Sequence, residues 1–231
     1  MTRLNSEVLI EVLVDCVDMK KLEELTQQIK TIDGVTTCTR NGDSFYISTN
    51  NSVQSTLKRL ESMGQKSILR GIKSNSKFLQ GLDFGSGVSI LEGAGLKGVC
   101  RLYQINDQEL ALDGSVSGLP SSATLEINIH ANGNLSDDCK SCGDVFKSLS
   151  MSGKFGSFVT DKGGKSDFLL VTDRLQLPEI IGRSVVVRNP VDLRPLGCGI
   201  IARSASVTDN TKRICTCSGE TVWDAYNKTT L

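Results

Sequence analysis

Glu7-Val8-Leu9-Ile10-Glu11-Val12-Leu13-Val14 is the run from which the first part of the fold can be read. Aliphatic and β-branched side chains fill it almost without a break, as expected of a largely buried strand. Downstream, Asp18 is placed to cap a helix in which Leu22, Leu25 and Ile29 recur at helical spacing. Asp33-Gly34 turns the chain into a strand near Val35–Arg40. Asn41-Gly42 is a strong hairpin signal and pairs that strand with Phe45–Thr49. Val53, Leu57 and Leu60 mark a second helix stopped by Gly64, and Lys66–Arg70 reads as the last strand. The order βαββαβ is the ferredoxin-like arrangement, so residues 1–72 are expected to form one small α+β domain.

Residues 73–86 have no period and read as a linker. From Val88 to Ser204 the pattern changes to eight short β runs punctuated by Gly, Asp, Asn and Pro, which indicates an all-β Greek-key sandwich or barrel over residues 87–207. Residues 208–231 form a polar tail that carries Cys215, Cys217 and the single tryptophan, Trp223.

Bulk properties narrow the function. A chain of 231 residues suggests about two domains. Lys+Arg and Asp+Glu both number 26, so the basic footprint of a nucleic-acid binder is missing. No apolar run is long enough to span a membrane, and Glu7 and Glu11 interrupt the only candidate for a signal peptide. The expected location is therefore cytoplasmic. Eight cysteines there would normally stay reduced, so they call for a use other than a secreted disulfide framework. With His130 the only histidine, chemistry that needs a cluster of imidazoles is excluded.

Cys215-Thr216-Cys217 is the most distinctive chemical feature. In extended chain, side chains at i and i+2 share a face. The two sulfurs can then hold one soft ion, Cu(I) or zinc, or exchange a disulfide with a partner.

Four segments carry a family resemblance: Pro178–Val187 (PEIIGRSVVV), Gly197–Ala205 (GCGIIARSA), Cys139–Gly143 (CKSCG) and Arg213–Asp224 (RICTCSGETVWD). Together they resemble the copper chaperones for superoxide dismutase. Such proteins join a ferredoxin-like metal-binding domain, an eight-stranded Greek-key barrel like that of Cu/Zn superoxide dismutase, and a Cys-x-Cys tail. The resemblance implies a metallochaperone rather than an enzyme. It would deliver transiently bound Cu(I) from Cys215 and Cys217 and assist disulfide formation by thiol exchange through the same pair; zinc is not expected. The implied partner is Cu/Zn superoxide dismutase, held as a heterodimer through Ile181, Gly182, Gly199, Ile200 and Ile201, with Trp223 of the tail as a further partner-binding residue. The same patch would permit a homodimer. The resemblance also implies a Cys139–Cys198 disulfide, although the Cys-x-x-Cys spacing leaves Cys142 as an alternative partner for Cys198.

The departures matter as much. Where the family has Met-x-Cys-x-x-Cys, this chain reads Val14-Asp15-Cys16-Val17-Asp18-Met19, leaving Cys16 and Met19 as a weak soft-metal pair. The dismutase His-x-His motif becomes Asn128-Ile129-His130, and Val145, Met151 and Lys154 stand where the zinc-loop ligands would be. The barrel is therefore expected to be a binding surface and not a dismutase. Cys38 and Cys100 read as buried structural residues. A copper-independent thiol-disulfide catalyst, or a folding scaffold for the dismutase, is the alternative reading.

Overall fold

The structure is a computed structural model and describes residues 7–74, 85–208, 210, 213 and 219–229. Strand β1 (Val8–Val14) leads into helix α1 (Met19–Lys30), followed by β2 (Val35–Asn41), β3 (Ser44–Thr49), helix α2 (Val53–Ser62) and β4 (Ser67–Ser74). The four strands form an antiparallel sheet in the order β2-β3-β1-β4, which is the ferredoxin-like arrangement. Local chemistry sets its elements. Asp18 Oδ1 accepts from the amides of Lys20 and Lys21 at 2.9 and 3.3 Å, satisfying free donors at the start of α1. Ser52 does the same for Ser55 at the start of α2. Gly42 takes φ 63° in the β2–β3 turn, a left-handed value that costs glycine nothing. Val8, Ile10, Val12 and Val14 of β1 face both helices in one core with Leu22, Leu25, Ile29, Phe45, Ile47 and Leu60.

The second unit contains β5 (Ser86–Glu92), β6 (Lys97–Gln104), β7 (Leu110–Ser117), β8 (Thr124–His130), the short β9 (Ser136–Cys139), β10 (Lys154–Val159) and β11 (Ser166–Thr172). Helix α3 (Leu177–Ile180), β12 (Ser184–Arg188), β13 (Pro195–Ile200) and β14 (Ala202–Ser204) complete it. Eight strands run in the order β10-β8-β12-β13-β5-β6-β7-β11, with β14 added beside β5. All ladders are antiparallel. The two ends of the path, β10 and β11, meet through stacked Phe158 and Phe168, whose ring centroids are 4.1 Å apart. The result is a nearly closed barrel around Leu102, Leu112, Ile127, Val185 and their neighbours.

Three boundaries differ from the sequence reading. Strand β4 continues to Ser74 instead of stopping at Arg70, and β5 begins at Ser86, so both ends of the expected linker belong to strands. Residues 75–84 lie outside the described residues. The tail contains helix α4 (Val222–Thr229) where only polar chain was expected. Its signal is in the sequence: Thr221 and Asp224 form a reciprocal cap, Asp224 N donating to Thr221 Oγ1 at 3.1 Å and Thr221 N to Asp224 Oδ2 at 2.9 Å.

The two units share a continuous core. Tyr103, Ile105, Ala111 and Leu169 from the barrel join the hydrophobic cluster of the first domain. Within this junction Asp113 of β7 is fully buried, and its Oδ2 accepts from the Val53 and Gln54 amides at the start of α2. Burial pushes its carboxyl up to about 6, against the pull of Arg101 and of those two amides.

Candidate functional site

The cysteines fall into three environments. Cys139 and Cys198 are joined, with 2.12 Å between sulfurs and 5.7 Å between Cα atoms. The bond ties the end of β9 to β13. Cys142 follows on a 3-10 turn, Lys140–Cys142, and is a free, buried thiol packed with Cys139, Val186 and Cys198. Its sulfur faces the Asn134 carbonyl at 3.6 Å. Of the two alternatives open in sequence, the structure has Cys139 in the bond and Cys142 beside it.

Cys38 and Cys100 are buried and free. Desolvation drives the Cys38 thiol up to about 11, partly offset by Lys30, and raises that of Cys100 still further. Neither is a nucleophile near neutral pH. Cys16 is half-buried in the loop between β1 and α1, its amide bonded to Val14 O at 2.9 Å and its sulfur 3.8 Å from Asp18 O. Met19 begins α1 and is 61% exposed. Among the described residues, no group of three His, Cys, Asp or Glu side chains is placed to hold a metal. Cys215 and Cys217 lie outside the described residues, but both flanks of their segment are placed. Arg213 forms a two-pronged ion pair with Asp43, at 2.5 and 2.6 Å, and Val222 N donates to Arg213 O at 3.0 Å. Trp223 is half-buried on α4, edge-on to Tyr226.

His130 ends β8, its Nδ1 2.6 Å from Gly143 O. Burial lowers its pKa, while the Gly143 contact acts the other way. It is paired across an isolated bridge with Val145, one of the positions where a zinc ligand was sought.

The proposed docking patch divides into surface and support. Gly182 is exposed, Ile181 half-buried and Ile200 40% exposed. Ile201 is only 1% exposed and packs into the barrel core, so it cannot contact a partner directly; adjacent residues on extended chain face opposite ways. Gly199 is buried as well. A Cβ there would lie 1.9 Å from Ile90 O, so glycine is needed for β13 to lie this close to β5. Ile90 itself, which sequence reading did not single out, is 59% exposed on the strand beside Ile200.

With this geometry in place, similarity to known proteins becomes decisive. The pattern of the Copper/zinc superoxide dismutase (SODC) family matches residues 96–201. Copper chaperone for superoxide dismutase from Mus musculus is 33% identical over 193 residues, covering 71% of this chain and 69% of its own. The chain belongs to this chaperone family. Superoxide dismutase 1 copper chaperone from Candida glabrata is likewise 33% identical, over 170 residues, covering 73% of this chain and 71% of its own. The chloroplastic/cytosolic chaperone of Arabidopsis thaliana, at 26% identity, matches 97% of this chain and 72% of its own length. Chaperone family membership thus accompanies a barrel of the superoxide dismutase type in a chain whose single histidine is His130. No described helix is long and apolar enough to cross a membrane.

Proposed function

We propose that this protein is a metallochaperone that docks on immature Cu/Zn superoxide dismutase and delivers Cu(I) from Cys215 and Cys217. The observation that carries the reading is a dismutase-like barrel with an exposed Ile90/Gly182/Ile200 face but a single histidine, found in a chain of the copper chaperone family. The barrel (87–207) supplies docking, the tail (208–231) supplies thiols, and the first domain (1–72) supports both. Copper is cargo here. Two thiolates hold Cu(I) in a near-linear site, and an incoming ligand of the target can add before one thiolate leaves, so the ion is never free. The same pair, when oxidised, can accept a target thiolate, form a mixed disulfide and leave the target disulfide-bonded as the tail returns to two thiols.

Cu(I) titration against a competing chelator tests the reading. Cys215→Ser/Cys217→Ser should lose the tight site, and equal copper retention by both proteins would overturn it. The weakness of Cys16 and Met19 as a pair, one half-buried and the other at a helix start, favours a second reading as a copper-independent thiol-disulfide catalyst. That reading requires a mixed disulfide between a tail cysteine and the dismutase in copper-free buffer.

A further inference from the structure

Three sulfurs share one cluster on the barrel: the bonded pair Cys139 and Cys198, and the free thiol of Cys142, packed together around Val186. They differ in exposure. Cys142 is 0% and Cys198 5% exposed, whereas Cys139, at the end of β9, is half-buried. They also differ in what holds them. The Cys142 carbonyl accepts from Asn132 N at 2.9 Å, and Asp144 O from Ala131 N at 2.9 Å, so the backbone fixes the turn beside the end of β8. Strand β9 lies outside the eight-strand path, and the disulfide is its covalent tie to β13.

The turn itself brings two of the sulfurs together. Cys139 is the N-cap of the 3-10 helix Lys140–Cys142 and already has helical backbone angles, φ −80° and ψ −3°. Side chains three residues apart in a 3-10 turn eclipse one another. Cys139 and Cys142 therefore present their sulfurs to the same face, the one that meets Cys198. The only printed polar contact of the Cys142 sulfur is the weak one to Asn134 O at 3.6 Å, which an exchange of bonds can give up.

We propose that this cluster is a second thiol-disulfide centre, separate from the tail, in which Cys142 is the internal nucleophile. Its thiol loses a proton to water, and the thiolate attacks Cys198 Sγ. A Cys142–Cys198 bond forms as the Cys139–Cys198 bond breaks, and Cys139 leaves as a thiolate that takes up a proton. One disulfide and one thiol stand on each side, so no oxidant or reductant is consumed. Attack on Cys139 Sγ would instead expel Cys198 as a thiolate into buried surroundings, which desolvation opposes. The half-buried Cys139 is the better leaving group. The two bonds close loops that differ by three residues, so loop entropy scarcely separates them, and either one ties this segment to β13. What changes is the thiol: buried at Cys142 in one isomer, and within reach of an electrophile at Cys139 in the other.

N-ethylmaleimide at pH 8 without reductant tests the exchange, with non-reducing peptide mass spectrometry as the readout. The full-length protein carries Cys215→Ser/Cys217→Ser, so that no tail thiol can attack the bond. Uncatalysed disulfide rearrangement takes minutes to hours, and over that time the label should accumulate on Cys139 together with a Cys142–Cys198 disulfide. Adding Cys142→Ala, which leaves the starting bond in place, should abolish labelling of Cys139. A separate Cys139→Ser variant, reduced and then treated with oxidised glutathione, should join Cys142 to Cys198, which tests the second bond even if Cys142→Ala does not fold. Absence of label on Cys139, equal labelling of Cys139 in Cys142→Ala, or failure of Cys142 and Cys198 to join in Cys139→Ser would each overturn the proposal. The copper titration bears on the tail alone, so the two readings fail separately.

Discussion

Asp113→Asn should make the protein more stable at neutral pH, although the carboxylate it removes faces Arg101 and caps a helix. The carboxyl ionises near 6 when folded, against an ordinary value of 3.8. A folded-state pKa above the unfolded one means that the native state holds its proton longer, so stability falls as pH rises between the two values. From pH 3.8 upward the native state gives up stability, and above pH 6 the loss is complete at about 3 kcal/mol. Of this, about 2 kcal/mol falls between pH 4.5 and pH 7. Asparagine keeps an oxygen to accept from the Val53 and Gln54 amides and has no charge to desolvate. The Arg101 contact, at 3.9 Å, is too long for a hydrogen bond and does not offset burial. Urea midpoints of both proteins at pH 4.5 and 7.0 give the test, because the difference between them cancels other titrating groups. The stability advantage of the Asp113→Asn protein should grow by about 2 kcal/mol over that range. A difference that stays constant, or shrinks toward neutral pH, would show that the buried carboxylate is better compensated than its surroundings suggest.

Other outcomes follow from separate features. Cys139→Ser/Cys142→Ser removes the bond to Cys198 and any substitute for it; opening a link between residues 59 apart should cost about 4 kcal/mol in a denaturant melt, and an unchanged midpoint would refute the estimate. Gly71→Val places side-chain carbon against the Ser206 carbonyl and should destabilise by about 1–3 kcal/mol in thermal unfolding, with no loss expected only if residues 206–207 move away from β4. Native alkylation at pH 8 followed by peptide mass spectrometry should leave Cys38 and Cys100 unmodified, since a thiol at about 11 is roughly one part in a thousand thiolate there.

Features set within a few residues could be read from the chain. Asp18 capping α1, the Asn41-Gly42 turn and the apolar period of α2 need only their neighbours, and the first-domain sheet could be anticipated from them. Helix α4 was equally legible through Thr221-x-x-Asp224, but the surrounding polar composition concealed it. What failed depended on distance. Ile200-Ile201 shows that a strand has one face in and one out, but its phase is fixed by pairing with β12 and Arg183, not by the two residues. Cys139 and Cys142 differ by three positions, and only the placement of β13 chooses between them. The burial of Asp113 depends on helix α2, sixty residues earlier, whose first amides it accepts from.

The shared core gives the first domain a duty that its loop chemistry does not. A barrel made without residues 1–72 would bare Tyr103, Ile105, Ala111 and Leu169 together, an apolar patch of the sort that drives self-association. The domain would therefore be retained as a lid over sticky surface even if the Cys16–Met19 loop never touched a metal. Truncation would confuse the two duties by precipitating the barrel. Point changes at Cys16 would leave solubility intact and isolate the metal question.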